Sequence, residues 1–225
     1  MAKKRTRETD TDASLRPRAP DVPAGLPSLE DAAPLFRNRE VVIQESVVEN
    51  IDVSNLQGTR LILETCVLRS VSFADSLLTS LRMRDVQLDR CNFANATVNG
   101  LKAVRTEFVN CRMTGFSANE ADCQDIRLLE GHQRFCQFRS SRFKSAWFES
   151  CDFEEADFQG SVLNGARFHK CSLRNADMVG VKLVGADLRG SQIEGMRFNA
   201  LDIVGAIVDP EQVLDLATLL GIKVR

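Results

Sequence analysis

Large apolar side chains recur every fifth residue from Ile43 to Val208. The run Phe138, Phe143, Phe148, Phe153, Phe158, Leu163, Phe168, Leu173, Met178, Leu183, Leu188, Ile193 and Phe198 shows the beat best. A period of five matches neither the 3.6 of a helix nor the 2 of a strand. It is an internal repeat, and repeats decide architecture before any local signal does. Of the 34 positions in this phase, only Gly58 and Gln133 are not apolar, and Ala103, Ala118 and Cys123 are apolar but small. The phase holds across all of them, so no insertion is expected between 43 and 208.

Two residues before each large residue lies a second inward phase that favours small side chains, such as Ala156, Ser161, Ala166, Cys171 and Ala176. The other three places of each five carry mostly Arg, Asp, Glu, Asn, Ser and Gly. Nine of the 13 glycines fall at one of those places, two after the large residue. That confinement points to a recurrent bend that a Cβ would hinder.

Ala156-Asp157-Phe158-Gln159-Gly160, Ala176-Asp177-Met178-Val179-Gly180 and Ala186-Asp187-Leu188-Arg189-Gly190 resemble the pentapeptide-repeat family over roughly three-quarters of the chain. The resemblance implies an all-β solenoid, a right-handed quadrilateral β-helix of about 8 coils with four pentapeptides in each. Three segments follow: a flexible Pro-rich tail (1–35), the repeat β-helix (36–208), and a C-terminal helix and tail (209–225). In a solenoid each coil buries its inward residues only by stacking on its neighbours.

The ends break the beat. Five of six prolines lie before residue 35, where no five-residue phase is visible. That composition predicts a disordered tail, with Leu29, Leu35 and Phe36 capping the first coil. The basic cluster Lys3, Lys4, Arg5 and Arg7 reads as solvated rather than as a nucleic-acid contact, and direct nucleic-acid binding is not expected. After Val208, the order Asp209-Pro210-Glu211-Gln212 is a helix start, with a capping-box pair and proline at the first helical position. Gly221 ends that helix. Val213, Leu214, Leu216, Ala217, Leu219 and Leu220 make it apolar over much of its circumference. Part should close the last coil, and the rest can pack on a second copy. The segment resembles the C-terminal dimerisation modules of the mycobacterial quinolone-resistance members, which implies a homodimer; simple capping is the alternative.

Composition changes this picture little. Six of the seven cysteines take the small inward phase and Cys123 a large one, so they read as core and not as disulfides or metal ligands. There is no Cys-x-x-Cys pair, and His132 and His169 fall in outward phases, so neither a metal nor a cofactor is expected. The start Met1-Ala2-Lys3-Lys4-Arg5 lacks an export-signal core and no apolar run is long enough to span a bilayer, which predicts a cytoplasmic protein without membrane contact. A filled rod offers no converging polar groups, so no enzymatic activity is expected.

Recognition by surface remains. The resemblance to the quinolone-resistance type implies mimicry of duplex DNA and binding to DNA gyrase or topoisomerase IV. From residue 41 onward the chain has 24 Asp plus Glu against 21 Lys plus Arg, a weak imbalance for a DNA mimic. The alternative is a general protein-interaction scaffold. Candidate surface residues are Trp147, which the 20-residue grid sandwiches between Arg127 and Arg167, and the acidic stretch Glu149, Asp152, Glu154, Glu155 and Asp157. The Trp147 column reads either as a rigid seam or as an interface hot spot. Residues 113–135 carry the weakest inward set, with Phe116 in a small place and Gln133 in a large one, and a local kink or thinning is predicted there.

Overall fold

The computed structural model describes residues 16–223. It is a parallel β-solenoid closed by one short helix. Strands β1 (Glu40–Gln44), β2 (Val47–Glu49), β3 (Gln57–Arg69), β4 (Leu77–Asp89), β5 (Thr97–Val98), β6 (Leu101–Val109), β7 (Asp122–Leu129), β8 (Arg142–Glu149) and β9 (Arg167–His169) pair in parallel, and helix α1 (Pro210–Leu219) follows. Nearly every pairing joins residues 20 apart. One column runs Val47, Val67, Gln87, Glu107, Arg127, Trp147, Arg167, Asp187 and Ile207. At about 4.8 Å per rung this column is roughly 38 Å long.

The two inward phases form the core. Leu63, Leu68, Phe73, Phe153, Phe158, Leu163 and Leu173 are fully buried, as are Cys66, Ala156, Ala166 and Ala176 two places before large residues. Phenylalanines stack from coil to coil, with Phe73–Phe93 at 5.0 Å, Phe138–Phe158 at 5.7 Å and Phe148–Phe168 at 4.7 Å between ring centres. The bend falls where the glycines predict it. Gly160 and Gly180 have φ near +70°, and Asn50, Asn95, Asn110 and Asn175 adopt the same left-handed backbone at equivalent places. Asn tolerates that region better than other side chains with a Cβ.

Two kinds of corner coexist. At one, the residue in the small place donates its N–H to the carbonyl three back, as in Ala96 to Phe93, Phe116 to Met113, Ala156 to Phe153, Ala166 to Leu163 and Ala176 to Leu173, at 3.0–3.1 Å. At Cys66, Val86, Thr106, Ile126 and Ala146 the strand ladder continues through the same place. Val, Thr and Ile at three of these five sites favour extended backbone because branching at Cβ stiffens the side chain.

Two expectations change. The phase does slip once: Thr59 pairs with Leu78 and is buried, while Gly58 is exposed with φ +72° and forms a bulge. The kink expected at 113–135 is absent from the pairing. Arg112, His132 and Asp152 bridge in register, as do Ser117, Gln137 and Asp157. Phe116 compensates for Ala118 by packing between Phe93 and Phe138, at 6.0 and 5.9 Å. The missing volume at Ala103 and Cys123 appears instead as an apolar cavity of about 20 Å³ lined also by Phe108, Phe143 and Ile126. Gln133 is wholly buried, and neither end of its amide has a hydrogen-bond partner among the described residues.

Residues 16–35 depart from the tail expected of their composition. Ala32 and Pro17 are buried, Ser28 bridges Val47, and a 3-10 turn over Ala33–Arg37 seats Phe36 edge-on to Phe73 at 5.8 Å, capping the first coil. The basic cluster at Lys3 to Arg7 lies outside the described residues.

Candidate interaction surface

Outward charges meet their opposites one rung away. Glu49–Arg69 (2.5 Å), Asp85–Arg105 (2.5 Å), Glu107–Arg127 (2.6 Å), Arg134–Glu154 (3.2 Å), Arg174–Glu194 (3.4 Å) and Asp177–Arg197 (3.2 Å) each join residues 20 apart. Such exposed pairs contribute about 0–1 kcal/mol each. Their larger effect is on the potential, because each carboxylate is neutralised on the face it occupies.

Trp147 is half-buried on β8, with Arg127 and Arg167 beside it in register. The Arg167 guanidinium lies 5.5 Å from the ring centre, as the grid predicts. Arg127 does not complete the sandwich, because its charge is drawn to Glu107. The second cation is Arg16, at 5.1 Å, from the N-terminal segment. Two such contacts contribute about 0.5–1 kcal/mol each at a surface. The indole N–H donates to Glu149 Oε2 at 3.2 Å.

The acidic stretch is not brought together. Bends at Ser150 (φ +54°) and Glu155 (φ +56°) turn the chain, so Glu149 stays beside Trp147, Asp152 and Glu154 occupy the next face, and Asp157 the one after. Glu154 pairs with Arg134, Asp157 with Arg139 at 2.5 Å, and Asp152 accepts the Glu154 N–H at 3.1 Å. Among the described residues, no cluster of His, Cys, Asp and Glu is arranged to hold a metal ion, and no helix is long and apolar enough to cross a membrane. The seven thiols are free and buried, and burial pushes Cys66 and Cys123 up to about 12.

The C-terminal end carries the largest apolar exposure. Helix α1 is stitched to the last coils by Gln212, whose Nε2 donates to the Leu188 and Ser191 carbonyls at 2.8 and 2.7 Å while its Oε1 accepts the Asp209 N–H at 2.8 Å. Leu216 is buried on the rod and Ala217 half-buried. Val213, Leu214, Leu219 and Leu220 are exposed, as are Leu201 at 84% and Val204 at 59%. Gly221 ends the helix as expected, with φ +77° and its N–H donated to Thr218.

Eight tandem copies of the model described as pentapeptide repeats match residues 151–190, inside the same unbroken ladder and five-residue phase. Residues 151–190 are pentapeptide repeats. Among solved structures, the chain is similar to trypsin-treated QnrB1 (R167E), a plasmid-mediated fluoroquinolone resistance protein, at 18% identity, 84% of this chain, 94% of that one and TM-score 0.45. It is also similar to HetL, a pentapeptide repeat protein involved in heterocyst differentiation regulation from the cyanobacterium Nostoc sp. strain PCC 7120, at 19% identity, 71% and 90% coverage and TM-score 0.26. No curated protein matches the chain in sequence.

Proposed function

We propose that this protein is a non-catalytic, rigid interaction rod that presents flat, ion-paired faces to a protein partner. The observation that carries this reading is the alternation of acid and base along the columns. A duplex mimic needs a continuous negative face to occupy a cationic saddle. Here Arg82, Arg84, Lys102, Arg142 and Lys144 are exposed on one face around Asp122, and Arg134 and Arg174 interrupt the carboxylates of another. A type II topoisomerase, gyrase or topoisomerase IV, is the candidate target named by the C-terminal resemblance, and the charge pattern favours a scaffold contact over DNA mimicry. Gyrase supercoiling with and without a quinolone, beside direct binding, tests this. Binding that survives excess duplex DNA marks a scaffold contact, and binding competed away by duplex marks mimicry. Absence of both binding and any effect on supercoiling at micromolar protein removes the topoisomerase and leaves the scaffold reading.

The rod also pairs with a second copy through α1 on this reading. Val213, Leu214, Leu219 and Leu220 on α1, with Leu201 and Val204 in the last coil, give the C-terminal end exposed apolar surface of the kind that marks interfaces. Sedimentation of the native chain should give a dimer and of Leu214→Glu a monomer. A monomeric native chain leaves α1 as a cap alone.

A further inference from the structure

The segment before the first coil lies along the rod and crosses its rungs. It begins at the first coil, where Leu29 N–H donates to the Val47 carbonyl at 2.8 Å. Moving back along the sequence, Asp21 N–H donates to Asp85 Oδ1 at 3.0 Å and Arg18 N–H to Asp125 Oδ1 at 3.3 Å. Arg16 then reaches the face of Trp147, and Pro17 between them is buried.

The periods match. Asp85 and Asp125 are two rungs apart in one column, about 9.6 Å at the usual strand spacing. Arg18 and Asp21 are three residues apart, about 9.3 Å in polyproline II geometry. Pro17, Pro20 and Pro23 recur at that same interval of three, and each of the two N–H donors follows a proline directly. Arg105 sits between the two carboxylates and holds Asp85 through Nε and Nη2 at 2.6 and 2.5 Å, fixing one acceptor in place. The rod thus carries a row of acceptors at polyproline pitch ending in an aromatic platform for a cation.

We propose that Asp85, Arg105, Asp125 and Trp147 form a groove for an extended Pro-x-x-Pro peptide with an arginine immediately before its first proline. Residues 16–23 occupy it in cis, and a segment of a partner protein with the same chemistry takes it by displacing them. Among the described residues the polar contacts of the cis occupant are two backbone hydrogen bonds and one cation–π contact, beside the burial of Pro17, a set weak enough to exchange. This groove is independent of the topoisomerase reading, and its test uses no topoisomerase.

Trp147 is the sole tryptophan and the chain has no tyrosine, so its fluorescence reports this groove alone. The experiment compares acrylamide quenching of the full chain with that of the full-length R16A/P17G variant. It then titrates the variant with a synthetic peptide of residues 15–23. Quenching should rise about twofold in the variant and fall back saturably with the peptide. A scrambled peptide without the three-residue proline spacing should have no effect, and adding Asp125→Ala should weaken peptide binding several-fold. Residues 16 and 17 lie outside the strands and Asp125→Ala changes only an outward side chain of β7, and an unchanged far-ultraviolet spectrum checks that both variants fold. Equal quenching in native chain and variant overturns the proposal, as does a scrambled peptide that works equally well or a peptide that does nothing. Peptide-dependent dimerisation of the native chain would also overturn it, placing the segment in exchange between copies.

Discussion

The coils before residue 150 and those after it solve the same packing problem with different mixtures of corners. In the first group the ladder runs through Val86, Thr106 and Ile126 and strands reach 13 residues, while Ala96, Phe116 and Cys136 close hydrogen-bonded turns. In the second, Ala156, Ala166, Ala176 and Ala186 close hydrogen-bonded turns and only short bridges remain between them. The repeat model matches the second group, at 151–190. Both groups keep the 20-residue register, so the large inward residue sets the coil and the small phase chooses the corner.

The largest effects should come from exchanging the corner residues. Ile126→Ala removes a buried side chain next to the existing cavity and should cost about 2–5 kcal/mol. Ala156→Val puts a branched side chain into a fully buried turn and should cost about 1–3 kcal/mol. Urea unfolding measures both. If Ala156→Val costs nothing, the corners are interchangeable and the contrast between the halves has no energetic content.

Thiol ionisation tests whether the halves open together. Cys66 and Cys123 have folded pKa values raised from 9 to about 12, so the unfolded chain loses their protons first. Their contribution is intact below pH 9 and falls as pH rises toward 12, by about 1.4 kcal/mol each at pH 10. Stability should therefore drop between pH 8 and 10. Labelling at pH 8 should be slow and of one rate class for Cys66, Cys123, Cys151 and Cys171 if the rod unfolds as a unit. A solenoid can instead open from one end, and two rate classes would put a boundary between the halves.

A closer comparison concerns one repeat. Cys91, Cys111, Cys151 and Cys171 form a column that Gly131 interrupts, and Gln133 stands two places later where its neighbours have Met113 and Phe153. A Cβ on Gly131 would lie 2.0 Å from Gln133 Nε2 and 3.2 Å from the Cys111 carbonyl, so the pair is fitted together. Gly131→Ala should destabilise by about 1–3 kcal/mol. Gln133→Leu removes two unpaired buried polar atoms and should stabilise by about 1–3 kcal/mol. The double variant should be non-additive, since the clash depends on the amide. Additive effects would mean that the glycine and the glutamine are unrelated.

The periodic part of the molecule was legible because one side chain in five had one place to go. Core cysteines, left-handed bends and the Trp147–Arg167 stack all follow from phase, and α1 from its capping residues. What phase could not supply was anything that crosses the rungs. Arg127 is next to Trp147 by register, yet Glu107 takes it, because ion pairing depends on both neighbours of a column. Arg16 belongs to no phase. Its signal was the three-residue proline spacing at 17, 20 and 23, together with carboxylates 40 residues apart at 85 and 125. Either is unremarkable alone. The slip at Gly58–Thr59 hid because the apolar beat resumes at Leu63.

The smallest expected effect tests the bend itself. Phe135 is exposed at 45% and has φ +59°, at the corner where neighbouring coils carry Gly115, Glu155, Asn175 and Gly195. Left-handed backbone costs a residue with a Cβ about 1–2 kcal/mol, whereas glycine adopts it freely and pays in unfolded-chain entropy. The two terms partly cancel, so Phe135→Gly should stabilise by up to about 1 kcal/mol. Phe135→Asn should give part of that gain without the added chain entropy. Loss of stability in both variants, read from the urea midpoint at constant slope, would mean that the ring contributes through Arg134, whose guanidinium lies 5.5 Å from its centre. In that case this bend is held by its side chain as well as by the backbone.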